Sequence, residues 1–155
     1  TGPRAIEIDC PLVGAHQVDN TLTAVAALVQ LGVDDATIRR GIASVRWPGR
    51  LERVAERPDL FLDGAHNAAG ANALADYIRE FHAGRKVWLV FGAMRDKDLS
   101  VIGPLLFPLA SELIFTAPAQ ARAFSAEELR ELSGESRARV AASPAGPARC
   151  AAGPP

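Results

Sequence analysis

No stretch of this 155-residue chain approaches the ~20 consecutive apolar residues of a membrane-spanning helix; its longest, such as Val87 to Met94, stop far short. The beginning has no basic region followed by an apolar run, so no export signal is visible. Lys and Arg number 17 against 18 Asp and Glu, a net charge of -1, and without a basic excess nucleic acid is not an expected partner. The two cysteines, Cys10 and Cys150, lie near opposite ends without CxxC or Cys/His spacing. That pattern fits reduced thiols in a cytoplasmic protein better than a disulfide staple or a zinc site. His82 has no metal-ligand partner four residues on, and no other metal-ligand cluster is present. Also missing are a GxxxxGK[ST] loop and a GxGxxG after a strand, so the chain by itself has no site for the β- and γ-phosphates of a nucleoside triphosphate.

What is present suits a folded domain. Hydrophobic residues make up 48% and charged residues 23%, and ~100–200 residues per domain allows one domain with flanking chain. The first residue is Thr rather than Met, and Ala5 to Asp9 alternates like a strand, which reads as a chain cut from something longer. Residues 143–155 carry Pro and Gly without apolar periodicity, and a disordered tail is expected there.

Between those ends helices and strands alternate. Val18, Leu22, Val25, Ala26 and Val29 recur at helical spacing in His16 to Leu31, and Gly32 supplies a stop. Asp34 or Asp35 caps a second helix that runs through Ile42. Trp47-Pro48-Gly49-Arg50 breaks the pattern, so we place a hinge at 47–50, with a strand and two helices of one domain in 1–46 and a second domain in 51–142. Strands are expected at Leu51 to Ala55, Leu60 to Leu62, Lys86 to Phe91 and Leu113 to Thr116. Helices are expected at Ala68 to His82, Leu99 to Leu106 and Ser125 to Leu132, the last opening on a Ser-Ala-Glu-Glu capping box. Strands apolar throughout, with helices between them, are covered on both faces in a parallel sheet. The class is therefore α/β, doubly wound and Rossmann-like, with a mostly parallel sheet flanked by helices.

In such sheets ligands bind beyond the carboxyl ends of the strands. Asp63-Gly64-Ala65-His66-Asn67 follows one strand and Gly92-Ala93-Met94-Arg95-Asp96-Lys97-Asp98 another. Asp63 can accept from a ribose hydroxyl or an amine, with Gly64 admitting close approach, and His66 can bind a phosphoryl or carboxylate oxygen or orient a neighbour. Equally, Asp63 and Asn67 can cap the next helix with His66 an ordinary surface residue. Arg50 can fork onto phosphate oxygens or be a solvated arginine. Asn20 offers the donor and acceptor an adenine edge requires, or it is a helix cap or a buried polar contact. Lys97 can contact a carboxylate or belong to a solvated loop tip.

The segments His16-Gln17-Val18-Asp19-Asn20, Trp47-Pro48-Gly49-Arg50-Leu51-Glu52, Asp63 to Asn67, Phe91 to Asp98, and Arg122-Ala123 with Ser125 to Leu129 form a set. In this order and spacing they resemble the C-terminal part of folylpolyglutamate synthase/dihydrofolate synthase, of the Mur ligase superfamily, from about His16 to Leu132. The family usually has Pro where Ala68 stands, and it continues beyond a strand that here can start at Arg137 to Ala142.

The resemblance implies the end of a central ATPase domain followed by the Mur ligase C-terminal domain. It implies an ATP-dependent acid–amino-acid ligase in which the carboxylate of dihydropteroate, or of a folate's terminal glutamate, attacks the γ-phosphate. L-glutamate's amine then opens the acyl phosphate. By position, Asn20 is expected at the adenine, Arg50 at the ATP phosphates, and Asp63 at the ribose or the hinge. His66, with Asp63 a catalytic candidate, is expected near the incoming glutamate or the acyl phosphate; Asn67 and Lys97 are substrate-side candidates. Mg2+ is expected, its ligands lying upstream, so the isolated chain is expected to be inactive. The expected partners are small molecules, with no membrane and a monomeric state. The rivals are a stand-alone nucleotide-binding module without catalysis, and the C-terminal domain of a peptidoglycan Mur ligase.

Overall fold

The computed structural model describes residues 5–141, which fall into two compact units divided between Ala65 and His66. In the first unit, α1 (Ala15–Gln30) and α2 (Asp35–Ala43) are followed by β1 (Glu52–Glu56) and β2 (Asp59–Leu62). Helix α1 ends where its sequence says it should. Gly32 takes φ 76°, its N–H donates to the Val29 carbonyl, and Val33 N donates to the Leu28 carbonyl, closing the paired bonds of a glycine-terminated helix. Asp34 then caps α2, accepting from Thr37 N at 2.9 Å and Thr37 Oγ1 at 2.7 Å. Those two bonds hold its carboxyl below the usual carboxylate range.

Two expectations for this unit do not hold. Ala5 to Asp9 alternates correctly but forms no strand, since no described segment pairs with it. Strands β1 and β2 pair antiparallel, Glu52 opposite Leu62 and Glu56 opposite Asp59, as a separate two-stranded sheet. The reason lies in the connection. Only Arg57 and Pro58 join them, a link long enough for a hairpin, whereas parallel neighbours need a crossover of a dozen or more residues.

The second unit is the expected α/β layer. Here α3 (Ala68–Phe81), β3 (Trp88–Phe91), α4 (Leu99–Leu106), a 3-10 turn (Phe107–Leu109), β4 (Glu112–Phe115), α5 (Ala126–Ser133) and β5 (Arg139–Val140) follow in turn. The strands form a parallel sheet in the order β3-β4-β5, and the short β5 lies in the segment expected to begin one. Phe91, Phe107 and Phe115 meet edge-on at 5.2–6.3 Å, packed with Ala71 and Ala75 of α3, Ile102 and Leu106 of α4, and Leu129 of α5.

That core takes Leu89 and Phe91 from β3 and leaves Trp88 and Val90, which point the other way, 55% and 61% exposed. Coverage of β3 on both faces, read from its apolar run, is therefore not found among the described residues. The tail expected at 143–155 lies outside the described residues.

Replacing Phe115, which is fully buried, by Ala removes the centre of the aromatic cluster and should cost about 3–5 kcal/mol. Leu132→Ala, at a side chain left 64% exposed, should stay within about 0.5 kcal/mol. Urea unfolding of the two variants checks the contrast, and equal losses would displace the core from this cluster.

Candidate nucleotide and substrate site

In the first unit the polar residues gather at one turn. Gly49 has φ 70° and Leu51 has φ 47°, so Arg50 sits between two residues in the left-handed region, the second of them not a glycine. Leu51 is held there from two sides: its side chain is buried, and its N–H donates to Asp63 Oδ2 at 2.9 Å. The other Asp63 oxygen accepts from Ala65 N at 2.8 Å, and Gly64 N donates to the Gly49 carbonyl at 2.7 Å. Glu52 Oε2 accepts from Gly49 N at 2.8 Å. Arg50 itself is half-buried, its guanidinium 5.9 Å from the centre of the Trp47 ring. No hydrogen bond joins that guanidinium to another described residue.

Asn20 stands on the exposed side of α1 and donates through Nδ2 to Gln17 Oε1 at 3.2 Å. Gln17 is the buried polar residue of that helix, 3% exposed, so the Asn20 amide is oriented by a fixed partner. The sequence reading gave Gln17 no role. Asp63 and Arg50 thus share one hydrogen-bonded turn, while Asn20 is held within its own helix.

In the second unit His66 is exposed, and Asn67 caps α3, its Oδ1 accepting from Gly70 N at 2.9 Å. The remaining candidates lie beyond the carboxyl ends of β3 and β4. Gly92 begins this region because a Cβ there would lie 2.9 Å from the Thr116 carbonyl oxygen. Arg95 N donates to the Arg122 carbonyl and Phe124 N to the Ala93 carbonyl, with a bridge between Met94 and Ala123, so the two loops are laced together. Lys97, half-buried, closes a turn through its N–H to the Met94 carbonyl and pairs Nζ with Asp96 at 2.7 Å. That pairing holds the Asp96 carboxyl below its usual range.

Arg95 and Glu128 complete the lacing. Arg95 Nη2 donates to both Glu128 oxygens, at 2.8 and 2.6 Å, and the guanidinium carbon lies 5.2 Å from the Phe124 ring centre. Glu128 also accepts from Ser125 N and belongs to the capping box of α5. The box is visible in the sequence. Its partner, 33 residues away, is not. Among the described residues no three His, Cys, Asp or Glu side chains come together as a metal site.

A parallel α/β layer with polar loops at the carboxyl ends of its strands defines the class, an α/β domain of the ligand-binding type. Residues 49–148 match the Mur ligase, glutamate ligase domain family, and the chain belongs to that family. It is 32% identical over 133 residues to a dihydrofolate synthase/folylpolyglutamate synthase of Bacillus subtilis (strain 168), which covers 82% of this chain and 31% of that protein. A folylpolyglutamate synthase of Mycobacterium tuberculosis, solved with ADP and AMPPCP, superposes with a TM-score of 0.80 at 36% identity, covering 87% of this chain and 32% of that one. A UDP-N-acetylmuramoyl-L-alanyl-D-glutamate–2,6-diaminopimelate ligase of Corynebacterium glutamicum is 36% identical over 104 residues, 66% of this chain and 20% of that protein. The chain thus spans less than a third of the length of these relatives.

The Ser125 amide and then Arg95 hold the Glu128 carboxyl below its ordinary value of 4.5. A carboxylate with a lowered folded-state pKa stabilises the fold above its unfolded value, and the contribution is lost as pH falls through the folded one. Glu128→Gln should therefore lower the melting temperature near neutral pH, and the gap from the parent chain should close as the pH falls below the ordinary value of 4.5 and through the lowered folded one. A gap independent of pH would mean that the charge on Glu128 contributes nothing.

Proposed function

We propose that this chain is the nucleotide-closing part of an ATP-dependent ligase that adds L-glutamate to dihydropteroate, to folate polyglutamate chains, or to both. The observation that carries the reading is Arg50: a half-buried residue whose guanidinium lies 5.9 Å from the Trp47 ring centre, presented by a tied turn, with its N–H groups unengaged by described residues. Such a group suits phosphate oxygens, where a planar fork of donors stabilises charge as it moves.

In this reading the substrate carboxylate oxygen bonds to the γ-phosphorus as the bond to ADP breaks, giving an acyl phosphate. The glutamate nitrogen then attacks the acyl carbon, and phosphate leaves. Arg50 draws charge from the phosphoryl oxygens, and the Asn20 amide, steadied by Gln17, reads the adenine edge. Asp63 takes the hinge role of its two expected ones, because both of its oxygens accept backbone amides on either side of the turn. His66 faces the acyl phosphate or the incoming amine. Lys97, with Asn67 on the same substrate side, takes a glutamate carboxylate, its ammonium exchanging Asp96 for that ligand.

Magnesium belongs to the chemistry of phosphoryl transfer. The described residues do not form a cluster that fits it, so no magnesium step is assigned to them. Residues 47–50 are the hinge between the end of a central ATPase domain and the domain that follows. No helix among the described residues is long and apolar enough to cross a membrane, and a cytoplasmic monomer is the setting we infer.

The peptidoglycan-ligase reading is favoured by identities such as the 36% to the diaminopimelate-adding relative. The folate-type match runs over 133 residues against 104, and we prefer it. A stand-alone binding module would use the same turn without turnover.

In the complete ligase, Arg50→Ala should lower kcat/KM for ATP by about 100-fold. Lys97→Met should raise KM for glutamate by about tenfold and leave KM for ATP unchanged. Steady-state kinetics with dihydropteroate and folate acceptors tests both. Unchanged kinetics in both variants would remove the two residues from the site, and turnover only with a muramyl peptide would transfer the chain to the peptidoglycan branch.

A further inference from the structure

Glu52 has no part in the reaction as read above, yet it is bound into the turn that presents Arg50. Its carboxylate accepts from Gly49 N at 2.8 Å, and the Asp63 carboxylate accepts from Leu51 N at 2.9 Å. The backbone amides on the two sides of Arg50 are therefore each tied to a carboxylate, and the Gly49 carbonyl is tied to Gly64 N at 2.7 Å. Charge-assisted bonds of this kind are roughly twice as strong as neutral ones.

The tie has something to oppose. Leu51 at φ 47° occupies a conformation that L residues avoid, and Gly49 at φ 70° is the residue type freest to leave its own. A turn with these dihedrals and without its anchors relaxes toward ordinary backbone and re-aims the side chain between them.

We propose that Glu52 is a positioning residue: together with Asp63 it locks the turn at 49–51 so that the Arg50 guanidinium faces the phosphate oxygens of the nucleotide. This rests on the assignment of Arg50 to those phosphates. Glu52 touches no substrate and acts through Gly49. Without it the competent orientation of Arg50 becomes one among several, and apparent nucleotide affinity falls by the fraction still competent.

The test is a double-mutant cycle in the complete ligase, reading KM for ATP, KM for glutamate and the melting temperature. Glu52→Ala should raise KM for ATP about tenfold, as expected if about a tenth of the turns remain competent, while KM for glutamate stays put. Glu52→Gln keeps an acceptor oxygen for Gly49 N and should bring KM for ATP back to within about twofold of the parent. The Arg50→Ala/Glu52→Ala pair should be no worse than Arg50→Ala alone, because a residue that acts only through Arg50 loses its effect when Arg50 is gone.

Effects that multiply, or a Glu52→Ala variant that loses stability while keeping its KM for ATP, would overturn the positioning role even as Arg50→Ala remains impaired. An Arg50→Ala enzyme with normal ATP kinetics would instead strike down the assignment of Arg50, and this proposal with it. Should Glu52→Ala fail to accumulate, Glu52→Asp, one methylene short of the Gly49 amide, carries the same expectation.

Discussion

The backbone on either side of Arg50 is held in a conformation it would not keep unaided, and the aim of that guanidinium depends on what holds it. Leu51 lies in the left-handed region, where a branched side chain gains nothing locally. Its burial and the Asp63 carboxylate supply what the local conformation withholds. The same carboxylate reaches Ala65 N, so the turn at 49–51 and the segment 63–65 are joined through one side chain. A single aspartate thereby couples the orientation of Arg50 to the segment that leads into the His66-Asn67 pair along the chain.

The second unit applies the same economy to its loops. Three phenylalanines and the helices around them fix the ends of β3 and β4, and Gly92 lets the chain pass the Thr116 carbonyl without a clash. Backbone bonds then lace the Gly92–Asp98 segment to the segment before α5, and Arg95 on Glu128 adds a charge pair across it. These ion pairs are exposed at the surface, where such pairs contribute little to stability by themselves. Their consequence is geometric: Lys97 is carried on a short turn of a loop with few ways to move.

Much of this was legible in the sequence because its signals are local. Gly32 as the stop of α1, Asp34 as one of two candidate caps of α2, the limits of α4 and the capping box at Ser125 each depend on residues within a turn of one another. The alternation of helices and strands gave the α/β class for the same reason. What stayed hidden was tertiary. Ala5 to Asp9 has the period of a strand but no described partner, and Leu51 to Leu62 has two strands whose two-residue link, rather than their composition, decides that they pair antiparallel. The apolar run at β3 implied two covered faces, and the helices pack on the one that bears Leu89 and Phe91. Glu52 was visible as a letter in the Trp-Pro-Gly-Arg-Leu-Glu motif, but its function as an anchor requires the turn to be folded back.

In the proposed function labour is divided: this chain aims an arginine and presents substrate-side groups, and the phosphate loop on which turnover depends is not among its residues. The most direct measurement is glutamate-dependent ADP release by the purified 155-residue chain, supplied with ATP, Mg2+, glutamate and a dihydropteroate or folate acceptor. The account predicts no release above the level without glutamate. Saturable, glutamate-dependent release by the chain alone would contradict it, because the chain would then hold a complete phosphoryl-transfer site of its own.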